Sequence, residues 1–149
     1  MLVCGIEITA SEACICLLSY KNKAFNVPDC RVRSMSMVKS TGTGTEAIRY
    51  FHDSFKKLLE DYKVDEVVLI ERHLKGKLAG TTTGFKLETA IQLIDLPVHM
   101  IDHARIKAQL KRNPINADFQ DLGLKGFQQK AFQAAYAYHN ECIYPAEEE

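Results

Sequence analysis

Two glutamate residues stand in segments that otherwise predict buried strands. Glu7 lies within the apolar run LVCGIEI (2–8), and Glu71 ends the run DEVVLIE (65–71). A buried carboxylate needs a cation or hydrogen-bond donors, because its desolvation costs several kcal/mol. Ligand sites of α/β sheets collect at the carboxyl ends of strands. Both residues are therefore candidates for catalysis and for metal binding. The structural alternatives are an outward-facing or Arg-paired Glu7, and an ion pair between Glu71 and Arg72.

Two carboxylates on neighbouring strand ends predict a site for Mg²⁺ or Mn²⁺. Mg²⁺ prefers carboxylate and water oxygens, and one or two carboxylates often hold it. Cleavage of a phosphodiester by two metal ions needs more acids about one cleft. A third acid near Glu7 and Glu71 therefore distinguishes a two-metal nuclease from other uses of this pair.

The middle of the chain is basic although the net charge is zero. Residues 72–112 contain eight Lys or Arg residues and three Asp or Glu residues. Lysine contacts with phosphates give affinity for nucleic acid without sequence choice. The alternative is an ordinary solvated surface. The candidate nucleic-acid-binding residues are Lys75, Lys77, Lys86, Lys107, Lys111 and Arg112.

Hydrophobic periodicity predicts five strands and four helices. The first three strands have short connections, which indicate an antiparallel meander, and helices then alternate with strands. The predicted strands are 2–8, 13–20, 30–38, 65–71 and 97–101, and the predicted helices are about 44–62, 83–95, 103–112 and 121–140.

This order predicts an α/β protein of the ribonuclease H-like fold. We expect a five-stranded mixed sheet of order 3-2-1-4-5, with helices on both faces. One domain should cover residues 1–144, followed by a flexible acidic tail over 145–149. No apolar run approaches the roughly 20 residues that span a bilayer. The five cysteines include no CxxC pair, which is typical of a reduced chain. We therefore expect a cytoplasmic protein without membrane contact.

Longer segments resemble a known bacterial family. GFKLETAIQLI, IKAQLKRNP and GLKGFQQKAFQAAYAY, with NVPDCRVR upstream, are similar to the family of domain of unknown function 3010. The resemblance covers nearly the whole chain. It implies the ribonuclease H-like fold and leaves the activity open.

A looser resemblance links residues 70–111 to bacterial Holliday-junction resolvases. On that pattern Glu7 matches the acid of the first strand, Glu71 matches the acid that ends the fourth, and IERHLKGKLAG matches the loop that follows. The resolvases carry two Asp residues in their last helix, where this chain has KAFQAAYAY. Asp118 and Asp121, which precede that helix, are the candidate replacements. The first acid is also Glu rather than Asp.

Two functions stay open on this resemblance. The first is a phosphodiesterase dependent on Mg²⁺ or Mn²⁺ that acts on nucleic acid. The second is a catalytically silent binding or interaction module, which the missing acids of the last helix favour. A nucleotide site is disfavoured, because no phosphate-binding glycine turn follows the first strand. The resolvase resemblance also implies a homodimer.

Overall fold

A mixed six-stranded sheet forms the centre of the protein. The computed structural model describes residues 1–37, 44–72 and 81–145. The first strand lies in the interior, antiparallel to the second and parallel to the fifth. The strands are β1 (Leu2–Ile8), β2 (Glu12–Lys21), β3 (Ala24–Asn26), β4 (Ser34–Ser36), β5 (Glu66–Ile70) and β6 (Val98–Ile101).

The strand order is β3-β2-β1-β5-β6, and β4 also pairs with β2. The predicted order 3-2-1-4-5 is thus confirmed in its arrangement, with one strand more than expected. β5 and β6 are parallel neighbours, so the carboxyl ends of β1, β5 and β6 share one edge of the sheet. We call this the carboxyl edge.

Helices cover both faces of the sheet, as the fold prediction requires. Alternate residues of β1 enter two separate cores: Cys4, Ile6 and Ile8 pack with α1 and α2, whereas Val3 packs with α3 and α4. The helices are α1 (Thr45–Asp61), α2 (Thr82–Gln92), α3 (His103–Arg112) and α4 (Gln129–Ile143). The side chain of Asp102 caps α3 by accepting a hydrogen bond from the Arg105 amide at 2.7 Å.

An additional strand, β3, precedes the predicted third strand, which is itself shorter than expected. Asn22 and Lys23 adopt positive φ angles of 54° and 62°, which turn the chain back along β2 to form β3. Pro28 follows shortly after β3, and a proline cannot donate to a ladder. Of the predicted strand 30–38, the segment Ser34–Ser36 pairs with β2.

The predicted helix over 121–140 begins later than expected. Gly123 has a φ of 73°, a left-handed conformation that ends the short 3₁₀ helix Phe119–Leu122. A second 3₁₀ turn, Gly126–Gln128, leads into α4. The buried amide of Gln128 donates a 2.7 Å hydrogen bond to the carbonyl oxygen of Ile15, which fixes this lead-in to β2.

No helix in the described part of the chain is long and apolar enough to cross a membrane. Most of the predicted acidic tail lies outside the described residues.

Candidate functional site

Glu7 lies near the carboxyl edge on the sheet face that α4 covers. Strand alternation places it on the same side as Val3 and Gly5. Its side chain is 21% exposed, so the carboxylate is half-buried yet open to solvent. Glu7 therefore lies within β1, as the sequence predicted. Its side chain faces the start of α4 and remains partly exposed to solvent.

The close approach of α4 to β1 explains what Glu7 faces. A Cβ added at Gly5 would collide with the carbonyl oxygen of Ala131 and would touch the Cβ of Ala135. Glycine at this position lets the helix backbone rest directly on the strand. The first turn of α4 consequently lies over the end of β1, and the Nζ of Lys130 comes within 3.9 Å of Glu7 Oε2.

Burial and nearby cations act in opposite directions on Glu7. Burial raises the pKa of the Glu7 carboxyl, and the positive charges of Lys130 and His103 counteract part of that rise. The contact of 3.9 Å exceeds hydrogen-bond length, so Lys130 acts on Glu7 mainly through its charge. Lys130 thus supplies a positive charge beside Glu7.

The strand register brings Glu71 beside Glu7. Ile6 pairs with Leu69. Glu7 follows Ile6 by one residue, and Glu71 follows Leu69 by two residues. Since strands lie about 4.8 Å apart and advance about 3.3 Å per residue, the two Cα atoms are about 6 Å apart. The Glu71 amide donates a 2.8 Å hydrogen bond to the Ile101 carbonyl oxygen, and its side chain is exposed.

Alternation sends the two carboxylates to different faces of the sheet. Glu7 faces α4, whereas Glu71 follows the direction of Leu69 toward the face of α1 and α2. Burial raises the pKa of the Glu88 carboxyl on α2, Arg72 opposes this rise and Glu71 adds to it, which indicates that Glu71 lies near Glu88. A ligand shared by Glu7 and Glu71 must therefore lie beyond the carboxyl edge.

Arg72 connects three elements near the site, although it was not among the predicted functional residues. Its Nη1 donates a 2.9 Å hydrogen bond to the carbonyl oxygen of Ile8. Its guanidinium lies against Gly84 and sits 5.1 Å from the centroid of the Phe85 ring. Its Nε is buried without a hydrogen-bond partner among the described residues. Arg72 therefore ties the end of β5 to β1 and α2. The signal that could have revealed it was its position directly after Glu71.

Arg72 and Thr81, the described residues on either side of the segment 73–80, are both attached near the turn between β1 and β2. Arg72 bonds to Ile8, and the hydroxyl of Thr81 donates to the carbonyl oxygen of Ala10 while it caps α2. Lys75 and Lys77 themselves lie outside the described residues. The described ends of the segment that contains them are therefore close to the carboxyl edge.

Asp118 and Asp121 form no metal-binding group with Glu7 among the described residues. Asp118 caps the 3₁₀ helix by accepting a 3.1 Å hydrogen bond from the Gln120 amide. Asp121 lines a cavity of about 500 Å³ together with Leu18 and other residues.

The described basic candidates divide between the two sheet faces. Lys107 and Lys111 are four residues apart on α3, so they share a helical face, and both are exposed together with Arg112. Lys86 is half-buried on α2. We call these three exposed residues the basic strip of α3; the helix lies on the same side of the sheet as Glu7.

A two-metal centre does not fit these residues. Within residues 1–37, 44–72 and 81–145, no group of three His, Cys, Asp or Glu side chains could hold a metal ion. The two carboxylates at the carboxyl edge match the ligand preference of one Mg²⁺ or Mn²⁺, which completes its shell with water. The residues therefore suit at most one shared divalent cation, located beyond the edge of the sheet.

Comparisons with known proteins agree with this architecture. The family described as "Protein of unknown function (DUF3010)" matches residues 1–138. No curated protein sequence matches the chain.

Solved resolvase structures share the fold at low sequence identity. RuvC of Thermus thermophilus has a TM-score of 0.73 and 14% identity, with 96% of both chains covered. RuvC of the same organism in complex with a Holliday junction substrate has a TM-score of 0.70 and 13% identity, over 97% of this chain and 96% of the other. The Fowlpox virus resolvase with Holliday junction DNA has a TM-score of 0.56 and 13% identity, over 96% and 99%. These matches confirm the ribonuclease H-like fold.

Proposed function

We propose that this chain, which belongs to the DUF3010 family of proteins of unknown function, binds nucleic acid and hydrolyses its phosphodiester backbone with one Mg²⁺ or Mn²⁺. The observation that carries the proposal is the parallel pairing of β1 with β5, which brings the backbones of Glu7 and Glu71 together at the carboxyl edge, although their side chains leave the sheet on opposite faces. Solved proteins of this fold include resolvases in complex with junction DNA, which supports nucleic acid as the ligand class.

The basic residues would bind the substrate backbone. Lys107, Lys111 and Arg112 present a row of positive charge on α3, and such rows neutralise phosphates without reading bases. Lys86 on α2, together with Lys75 and Lys77 of the segment 73–80, would contact the sugar-phosphate backbone of the nucleic acid on the side away from α3. The nucleic acid would thus cross the carboxyl edge between α3 and α2.

Glu7 and Glu71 would hold the cation, which supplies Lewis-acid polarisation of the phosphate. In the reaction a water oxygen forms a bond to phosphorus and one ester P–O bond breaks. One product retains the phosphate and the other ends in a hydroxyl group. The proton that the attacking water loses ends on the leaving oxygen, which becomes this hydroxyl group.

A catalytically silent binding module is the second candidate. The observation that favours it is Lys130, whose ammonium rather than a further carboxylate faces Glu7 from the last helix. Such a module would keep the basic strip of α3 and bind nucleic acid without cutting it.

One experiment separates the two functions. The parent protein and a Glu7→Gln, Glu71→Gln double variant are incubated with single-stranded, duplex, hybrid and four-way-junction substrates in Mg²⁺ or Mn²⁺. Cutting by the parent and not by the variant supports the hydrolase. Equal cutting by both points to a contaminant or another site and refutes the assignment. Retained binding without cutting supports the silent module.

The control for binding is a triple variant of the strip, Lys107→Gln, Lys111→Gln, Arg112→Gln. Its three residues are exposed on α3, so their loss should weaken nucleic-acid binding while leaving the fold intact. Unchanged affinity would remove α3 from the proposal. The homodimer also stays a prediction, which light-scattering mass at several concentrations would test.

A further inference from the structure

On the α4 side of the carboxyl edge, the structure places a lysine against Glu7: the Lys130 Nζ lies 3.9 Å from Glu7 Oε2. Two metal ions 3.5–4 Å apart need several carboxylates around them. Among the described residues, no group of three His, Cys, Asp or Glu side chains could hold a metal ion, and the ammonium of Lys130 faces Glu7 instead. A second divalent ion next to Glu7 would meet a positive charge rather than a ligand.

The packing of α4 fixes that positive charge in place. Gly5 allows the backbone of Ala131 to rest on β1, so the residue just before Ala131 is held over Glu7. Both Ala131 and Ala135 are buried, and they leave α4 little freedom to move along the strand. The position of Lys130 is therefore a consequence of the tightest helix–strand contact near the site.

Lys130 is also available to a ligand. Its side chain is 62% exposed, compared with 21% for Glu7, so the ammonium lies on the solvent side of the pair. An ammonium has three donors, and a 3.9 Å ion pair leaves them able to bind phosphate oxygens. A phosphate bound there would lie between Lys130 and the carboxyl edge.

From these contacts we infer that Lys130 is the second cation of the site: it replaces a second metal ion and binds the phosphate under attack. The inference rests on the proposed function for its substrate class. It makes Lys130 a catalytic residue contributed by the last helix, in the position where an acid would create a second metal site.

Measuring Mn²⁺ binding in the absence of substrate tests whether Lys130 takes the place of a second metal ion, which we call the charge replacement. Calorimetry compares the parent with Lys130→Glu and with Lys57→Glu, which makes the same charge change on an exposed position of α1. We expect at most one ion per parent chain. Lys130→Glu should gain a second ion or bind Mn²⁺ at least about tenfold more tightly, and Lys57→Glu should behave as the parent. Thermal unfolding of each variant verifies that it is folded.

Three results would overturn the replacement: two ions per parent chain, an unchanged Lys130→Glu, or equal gains in both variants. These results are independent of cleavage. If Mn²⁺ binding changes as expected and no substrate is cut, the hydrolase proposal fails while the charge replacement stands. If the parent cuts and Lys130→Glu binds Mn²⁺ as the parent does, the hydrolase stands and the replacement fails.

The salt dependence of binding to single-stranded DNA tests the phosphate contact. Removing one lysine–phosphate contact should reduce the slope of log affinity against log salt by about 0.7 for a single strand. We expect this for Lys130→Gln and not for Lys57→Gln. Equal slopes for both variants, or no binding by the parent at low salt, would refute the phosphate contact.

Discussion

Glu7 and Glu66 occupy equivalent surroundings at opposite ends of the sheet. Glu7 lies near the end of β1, Glu66 begins β5, and both face α4. The side chain of each is 21% exposed. Their partners differ. Glu66 accepts a 2.8 Å hydrogen bond from the Tyr138 hydroxyl and lies 3.3 Å from His99 Nε2, whereas Lys130 stands 3.9 Å from Glu7.

The difference shows how one helix serves two purposes. At the Glu66 end, the Tyr138 ring stacks on His99 with centroids 4.7 Å apart, and α4 is joined to α3 by the Arg105–Glu141 ion pair at 2.7 Å. The polar groups there are used within the fold. At the Glu7 end, the nearby charges are left to solvent and ligand. Two half-buried carboxylates with equal exposure therefore differ in their partners: Glu66 is hydrogen-bonded within the fold, whereas Glu7 has only a distant ammonium beside it.

The largest contrast should come from replacing each glutamate by glutamine. If the hydrolase proposal holds, Glu7→Gln should reduce cleavage by roughly 100-fold or more while the free energy of unfolding changes by less than about 0.5 kcal/mol. Glu66→Gln should leave cleavage intact and lower stability by about 1–3 kcal/mol, because charge-assisted bonds to Tyr138 and His99 are weakened. Cleavage rates and urea unfolding check both. A stability loss in Glu7→Gln equal to that in Glu66→Gln would remove the distinction.

Displacing α4 should disturb both ends at once. Gly5→Ala forces a methyl group into the Ala131 carbonyl, so we expect a loss of about 1–3 kcal/mol. Gly126→Ala is the matched control, because no atom lies within 4 Å of the added Cβ and its φ is not positive. Urea unfolding measures the two. If Gly5→Ala were as stable as Gly126→Ala, the close approach would not position Lys130.

The free energy of unfolding should also be sensitive to acid, because of a buried histidine at the Glu66 end. His139 is 1% exposed, and its Nε2 lies 2.8 Å from the Leu18 carbonyl oxygen, so the neutral ring donates there. Burial lowers the pKa of His139 below its ordinary value of about 6.5. The unfolded chain therefore binds a proton at His139 more readily than the folded chain does. The free energy of unfolding should keep its full value above about pH 6.5 and decrease as the pH falls below it.

Unfolding free energies between pH 7.5 and 5 measure the effect. His139→Gln keeps a donor for Leu18 and should flatten this part of the pH profile. His52→Gln, on α1, is the control and should retain it. A steep profile in His139→Gln would assign the acid sensitivity to another group.

The smallest expected effect is a change in the pKa of the Glu7 carboxyl. The charge of Lys130 lowers the pKa of Glu7, so Lys130→Gln should raise that pKa further above its ordinary value. Carboxyl-carbon NMR titration of metal-free protein would detect the shift. Lys57→Gln should leave the Glu7 titration unchanged, and an equal shift in both variants would mean that Lys130 has no specific influence.

Local pattern was sufficient for most of the fold. The apolar runs around Glu7 and before Glu71 predicted β1 and β5 correctly. Errors occurred where backbone conformation departed from periodicity. Positive φ at Lys23 created β3 within a predicted loop, and positive φ at Gly123 delayed α4.

The candidate site was predictable only in part. Side-chain type and strand position identified Glu7 and Glu71, because strand ends are recognisable from sequence. Arg72 was passed over because its partners, Ile8 and Gly84, are brought to it by the sheet and by α2.

By itself, the sequence determined the alternation of strands and helices, the two strand-end glutamates and the basic strip of α3, since each depends on neighbours within a few residues. Only the tertiary structure decided which groups face Glu7. Lys130 lies 123 positions further along the chain, and its contact with Glu7 depends on a helix that can reach β1 only over Gly5. Asp118 and Asp121 were candidates because they precede the last helix, and whether an acid there can join Glu7 depends on how the chain folds back, which spacing does not show; among the described residues they form no metal-binding group with Glu7.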